Sequence, residues 1–242
     1  MRTVAVIQAR TGSTRLPGKV LMPLLREPVL THVVRRVSRA TRLDAVVVAT
    51  TVAPADDPIA ALAEANGWLH VRGSEEDLLA RYLLAARAHG ADRIVRITSD
   101  CPLVDPTLLD EVVATLEAAG ADYASNTLPP RTYPRGLDVE AFTMEALEAA
   151  DGLDDDPASR EHATPYLYRH PERFRLVGVP GRADHSAHRW TLDTPEDYAL
   201  IERLYEGLGR DDFAWTDALV LVEAHPEWSL MNEHVRQKQV PG

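Results

Sequence analysis

With 242 residues, 45% apolar side chains and 6% aromatic ones, the chain is long enough to bury a real core and too apolar for a disordered segment. Its net charge of -11, from 26 basic and 37 acidic residues, argues against a long nucleic-acid duplex as partner but leaves room for a local basic pocket that takes a small anion. The single cysteine, Cys101, excludes an intrachain disulfide, and the lack of a charged-then-apolar leader or a membrane-length apolar run sets a soluble, cytoplasmic protein as the expectation.

Val4–Ile7 is an apolar run that predicts a first, buried strand. It empties into QARTGSTRLPGK, a loop that holds Arg10, Arg15 and Lys19 and no carboxylate. Three cations this close repel one another unless a polyanion sits among them. Gly12 and Gly18 let backbone N–H groups turn toward such a ligand, and a phosphate chain suits the loop better than a lone carboxylate. Lys19 and Lys238 are the only lysines in a chain that otherwise uses arginine. A lysine inside this turn suggests a site that wants a compact point charge rather than a guanidinium fork. The loop matches neither GxxxxGK[ST] nor GxGxxG, which turns the reading away from a P-loop kinase or a nicotinamide dehydrogenase.

Pro28 then opens a helix in which Leu30, Val33, Val34 and Val37 recur at helical spacing, with His32, Arg35 and Arg36 expected outward. Ala45–Thr50 reads as a parallel strand covered on both faces. A short helix ended by Gly67 and a third strand over residues 68–73 follow. Ser74 is expected to cap the next helix with Asp77 as its capping-box partner, Glu75 and Glu76 adding charge to the first turn. Arg93–Thr98 is a fourth strand, and Asp105 and Pro106 begin a helix that Gly120 closes. The order βαβαβαβα predicts an α/β fold, a doubly wound, mostly parallel sheet with helices on both faces, in a single domain over 1–242.

From Asp122 the alternation lapses. Residues 122–180 are expected to form an irregular inserted portion that binds an acceptor or a second copy. Tyr123, Leu128, Tyr133, Leu137 and Phe142 offer more apolar surface than a solvent loop needs, which predicts a homodimer. Alternation returns over residues 188–205, read as a strand and then a helix with Thr194 as cap, Pro195 in its first position and Asp197 completing the box. The last dozen residues are expected to be loosely held.

Ligands of a doubly wound sheet sit beyond the carboxyl ends of its strands. Asp100 follows the fourth strand there, and Asp193 ends the late strand, so the two carboxylates are expected to meet near the cationic loop. Together with a triphosphate they make a Mg²⁺ site, because that ion is commonly held by one or two carboxylates plus substrate phosphates. Cys101 has no basic partner at fixed spacing and reads as packing. His162, His170, His185 and His188 lack zinc-ligand spacing.

IQARTGSTRLPGKVL closely resembles the signature of the cytidylyltransferases that activate sugar acids, the acylneuraminate and 3-deoxy-octulosonate type. The rest resembles the SpsF branch, through ATT, RGSEEDLLARY, IVRITSDCPLVDP, YPRGLDVEAF, REHATPYLYRHPERF and RWTLDTPEDY, in order from Val4 to about Tyr205. One departure is SDCPLV, with Ser99 where many members keep glycine. The resemblance implies a nucleotide-diphospho-sugar-transferase-like fold and transfer of CMP from CTP to an anionic acceptor with release of pyrophosphate. It implies that Ala9, Arg10, Gly12 and Ser13 line the nucleotide cleft, with Arg15 and Lys19 on the phosphates. Arg72, Ser74, Asp77 and Arg81 would close over base and ribose, Asp100 and Asp193 would hold Mg²⁺, and Arg135, Asp138, His162 and Tyr166 would face the acceptor. Relatives dimerise through the corresponding insertion. Transfer from another nucleoside triphosphate, a nucleotide-sugar glycosyltransferase and a non-catalytic nucleotide-binding domain stay open as alternatives. Against the glycosyltransferase, the DxD spacing such enzymes present near mid-chain occurs here only in DGLDDDPAS, with no strand before it.

Overall fold

The computed structural model describes residues 1–237. Thr3–Gln8 (β1) leads into the cationic loop, which ends in a 3₁₀ turn at Lys19–Leu21 and a small hairpin of Pro23–Leu24 (β2) and Glu27–Pro28 (β3). Val29–Val37 (α1), Ala45–Thr51 (β4), Asp57–Ala65 (α2), Leu69–Gly73 (β5), Leu78–Ala88 (α3), Arg93–Thr98 (β6) and Pro106–Ala119 (α4) follow in the expected alternation. β5, β4, β1 and β6 lie side by side in that order, each pair parallel. The first strand therefore sits between the second and fourth of the parallel set, and the winding reverses between β1 and β6. Sheets of this kind bind ligands in the crevice outside that reversal.

Alternation along β1 divides the core in two. Ala5 and Ile7 pack on one face with apolar side chains of α1 and α4. Val4 and Val6 pack on the other with those of α3. This is the period of two that a strand covered on both faces must show.

Beyond β6 come Tyr123–Ser125 (β7), Glu140–Thr143 (β8), Met144–Leu153 (α5), Pro157–Arg160 (α6), Pro165–Arg169 (α7), Leu176–Gly178 (β9), Pro195–Leu208 (α8), Trp215–Ala224 (α9) and Pro226–Ser229 (α10). β8 pairs antiparallel with both β6 and β7, and β9 runs parallel to β7, so segment 122–180 extends the same sheet to seven strands. Pro129, Pro130 and Pro134 lie in the connection between β7 and β8 rather than inside either strand. The apolar residues read as surplus surface are inside the chain: Tyr123, Leu137 and Phe142 are wholly buried, Tyr133 nearly so, and Leu128 packs against the core. They leave no exposed apolar face of their own for a second copy.

Four local expectations are corrected. His32 and Arg36, expected outward on α1, are buried, because residues Asp211–Phe213, between α8 and α9, close over that side of the helix. The Arg36 guanidinium donates to the carbonyls of Val104 (2.8 Å) and Asp211 (2.7 Å) and lies 4.0 Å over the Phe213 ring. His32 Nε2 is 2.6 Å from the Leu24 carbonyl oxygen. The cap of α3 is Asp77 rather than Ser74: Asp77 accepts from the Ala80 N–H (2.9 Å), while Ser74 Oγ accepts from the Asp77 N–H (3.0 Å). Ser74 thus closes a turn before the helix, leaving Glu75 and Glu76 ahead of its first turn. Residues 188–193 form no strand, only an isolated bridge between Arg135 and Arg189, although Thr194 and Asp197 make the expected capping box of α8. The tail expected to be loose is fastened as far as Gln237, with Asn232 buried. Lys238 and the four residues after it lie outside the described residues.

Candidate active site

The loop after β1 is shaped by a carboxylate from elsewhere. Asp56 accepts from the Thr11 backbone N–H (2.7 Å), from the Thr11 hydroxyl (2.8 Å) and from Thr51 at the end of β4. Ser13 Oγ accepts from the Leu16 N–H (3.3 Å), and the Gly18 N–H donates to the Thr11 carbonyl (3.0 Å). Gly18 has φ +71°, a left-handed conformation that brings Lys19 back onto the end of the sheet. Lys19 is consequently almost buried, at 8% exposure.

Lys19 Nζ lies 2.6 Å from Asp100 Oδ2 and 2.9 Å from Asp193 Oδ1, so residues 81 and 174 positions away converge on one ammonium. A backbone bond from the Leu192 N–H to the Asp100 carbonyl (2.8 Å) holds the two carboxylate-bearing segments together. Arg15 and Arg189 each reach Asp193 Oδ2 at 2.9 Å. Arg189 also forks onto buried Asp197, at 2.8 and 2.9 Å, and the Asp193 N–H donates to the same carboxylate at 3.0 Å. Burial alone would raise the Asp193 carboxyl, but Lys19 and then Arg15 outweigh it and hold its pKa below the ordinary value. Burial likewise works against the Lys19 ammonium, while Asp100 and Asp193 together raise its pKa. Lys19 and Asp193 therefore both stay charged at neutral pH.

Its donor chemistry suits a divalent cation shared with a ligand. Among the described residues no group of three or more His, Cys, Asp or Glu gathers as a self-sufficient metal cage. Two carboxylates that meet at one point, next to cations able to take phosphate oxygens, are what Mg²⁺ needs from a protein when the nucleotide supplies the rest.

On the β4–β5 side, Arg10 sits between Glu75 (3.8 Å) and Glu161 (3.6 Å). Gly12 leaves 3.4 Å between a would-be Cβ and Glu75 Oε1, and Ala9 is buried, its N–H bonded to the Ala49 carbonyl. Arg72 is engaged by the Thr51 and Ala53 carbonyls and by Asp57, and Asp77 by Arg160. Arg81 is buried, donates to the Ser74 carbonyl and leaves its Nε without a partner among the described residues. Ser74 is thus tied to both Asp77 and Arg81, while Arg72 is tied to the segment after β4 and Asp77 to Arg160.

On the other side, Arg131 grips both oxygens of Asp138, and Glu140 takes Arg96 and the Tyr123 hydroxyl. Arg135 is left without an ion pair among the described residues, half-buried, its N–H bonded to the His188 carbonyl. His162 is half-buried and flanked by Glu161, Arg96 and Arg10; burial is the main cause that lowers its pKa, so its imidazole is neutral at pH 7. Tyr166 stacks on His170 at 4.1 Å. Cys101 is buried against Thr98 (3.0 Å), its thiol raised well above the ordinary value by burial, as packing requires. Arg189, Asn232, Asp56 and Arg131 around this centre were missed by sequence reading, as was the pairing of the cap residue Asp197 with Arg189. Arg189 stands four and eight residues before Asp193 and Asp197, a spacing that pairs them only because no strand forms there.

Comparison with known proteins supplies the class of chemistry. A family model described as cytidylyltransferase matches residues 4–217. The spore coat polysaccharide biosynthesis protein SpsF of Bacillus subtilis is 35% identical over 229 residues, 92% of this chain and 94% of that protein. A solved cytidylyltransferase from Leptospira borgpetersenii is 34% identical, with a TM-score of 0.90 over 100% of both chains. The structure of CMP:2-keto-3-deoxy-manno-octonic acid synthetase complexed with CTP shares the fold, with a TM-score of 0.67 at 19% identity over 86% of this chain and 99% of that one. A cationic loop and paired carboxylates at the reversal point of this sheet, in a chain matched so nearly end to end, place it in the cytidylyltransferase family, as an enzyme that moves CMP from CTP to an acceptor and releases pyrophosphate.

Proposed function

We propose that transfer takes place at the Lys19–Asp100–Asp193 centre, that Mg²⁺ is the cation used, and that the acceptor is an anionic small molecule: a sugar acid, a sugar or polyol phosphate, or a phosphonate. The observation that carries this reading is the convergence of Asp100 and Asp193 on one ammonium at the sheet's reversal point. In the proposed reaction an acceptor oxygen forms a bond to the α-phosphorus of CTP as the bond to departing pyrophosphate breaks. Asp100 and Asp193, together with the nucleotide, would hold Mg²⁺, which when bound would supply neutralisation of phosphate charge. Arg15 and Lys19 stabilise the charge that develops on the phosphoryl and leaving groups, and their seats beside Asp193 fix them before substrate arrives. Both oxygens of Asp138 are engaged by Arg131, which leaves it poorly placed to take a proton. This favours an acceptor whose attacking oxygen is already anionic.

The apolar residues that suggested a homodimer are buried within the chain and so carry no argument for one. No helix among the described residues is long and apolar enough to cross a membrane. The test is a screen of sugar acids, sugar and polyol phosphates and phosphonates with CTP and Mg²⁺, scored by pyrophosphate release. An anionic acceptor is expected to win; a neutral sugar winning would overturn the acceptor class.

A further inference from the structure

A cavity of about 390 Å³ lies between the segment 186–190 and the C-terminal segment 229–237, next to the charged centre. The C-terminal wall is built onto that centre. Buried Asn232 donates to the Arg189 carbonyl (2.9 Å) and to Asp197 (2.8 Å), Arg189 donates to Gln237 Oε1 (2.6 Å), and Arg15 donates to the Arg236 carbonyl (3.3 Å). The segment therefore hangs on the two arginines that also hold Asp193. Arg135, Arg189 and Arg236 line the cavity, with Glu233 as the acidic residue of the lining. Arg189 is neutralised by Asp193 and Asp197, whereas Arg135 has no ion pair among the described residues. His188, stacked on Trp190 at 5.5 Å, has its pKa lowered chiefly by burial; its neutral ring can donate one N–H without adding charge. Leu200 and Val235 provide apolar surface for a carbon skeleton. A volume of this order holds a small polyol or sugar with one anionic group.

We propose that this cavity is the acceptor pocket, that the C-terminal segment is one of its walls, and that Arg135 and Arg236 together receive the acceptor's oxyanion. The proposal rests on the reading of the Lys19–Asp100–Asp193 centre as the place of transfer. A guanidinium fork suits phosphate, phosphonate and carboxylate alike, so the probes separate those sources.

The test is calorimetry on the full chain with Mg²⁺ and the unreactive analogue α,β-methylene-CTP at saturation, titrated separately with glycerol 3-phosphate, ribitol 5-phosphate, phosphonoacetate and gluconate. At least one probe is expected to bind the wild type. Arg236→Ala and Arg135→Ala should each weaken that probe by about tenfold or more, the loss expected for a charge-assisted hydrogen bond, and leave the affinity of the nucleotide analogue within about twofold. Arg236 is exposed, so its replacement leaves the fold in place. Binding of no probe to the wild type, or unchanged probe affinity in both variants, overturns the pocket. Weakening by Arg135→Ala alone overturns the C-terminal wall. A probe that depends on Arg236 in a protein that does not bind the nucleotide analogue would sink the nucleotide reading and leave the pocket standing.

Discussion

Asp193 accepts from Lys19, Arg15 and Arg189 at once, while Asp100 is bound to Lys19 alone among these cations. With Asp100→Asn or Asp193→Asn, turnover should fall about 100-fold or more while the circular dichroism of the same sample stays normal, as when a preorganised electrostatic element of the transition state is lost. Near-normal pyrophosphate release in either variant would remove that aspartate from the machinery. The same charges predict a pH dependence. The folded pKa of Asp193 lies below the 3.8 of a free carboxyl, so its stabilising contribution is complete above that value and is lost as pH falls through the folded pKa. Lys19, raised above 10.5, contributes fully below that value and loses the contribution as pH climbs through its folded pKa. Urea midpoints of Asp193→Asn should therefore fall less steeply than wild type below about pH 4, and parallel curves would refute the assignment. Lys19, Asp100 and Asp193 were legible because their residue types and sheet-end positions already asked for charge. Arg189 and Asp197 were not, since their pairing depends on an irregular backbone over residues 188–193 that the apolar pattern there disguised as a strand.

Two glycines separate the elements that tolerate change from those that do not. Gly136 has φ +105°, and a Cβ there would lie 2.4 Å from the Trp190 carbonyl carbon, so the segment bearing Arg135 can dock on residues 189–191 only through glycine. Gly136→Ala should cost about 3 kcal/mol or more of stability, since overpacking against backbone adds to left-handed strain. Gly18 has φ +71° with nothing within 4 Å of a would-be Cβ, so Gly18→Ala should cost only about 1 kcal/mol. Thermal unfolding of both variants checks the contrast, and equal losses would contradict it. At this scale the helices and parallel strands were readable from periodicity, and caps such as Asp105 and Thr194 from their side chains. The inward turn of His32 and Arg36 was not, because one helix's apolar stripe does not reveal that the loop after α8 will cover a second side.

The whole molecule follows from four parallel strands whose order places β1 beside β6, with β8, β7 and β9 added as a mixed extension. Local alternation predicted the first part. The extension was hidden because β7 and β9 are three residues long and are specified by their neighbours rather than by their own pattern. For the assembled enzyme, calorimetry with Mg²⁺ should show CTP binding more tightly than ATP, GTP or UTP; tighter binding of any other nucleotide would overturn the base preference.

The hydrogen bond from Arg15 to the Arg236 carbonyl joins positions 221 residues apart. Contacts of such separation come late when a chain orders itself, because the entropy of closing so long a loop must be met before the contact can form. Time therefore divides the molecule where space does not. On dilution from urea, the far-ultraviolet dichroism of the α/β body should return before the capacity to bind nucleotide does. During synthesis the nucleotide site should stay silent until the segment that carries Arg236 has been added, however complete the sheet beneath it.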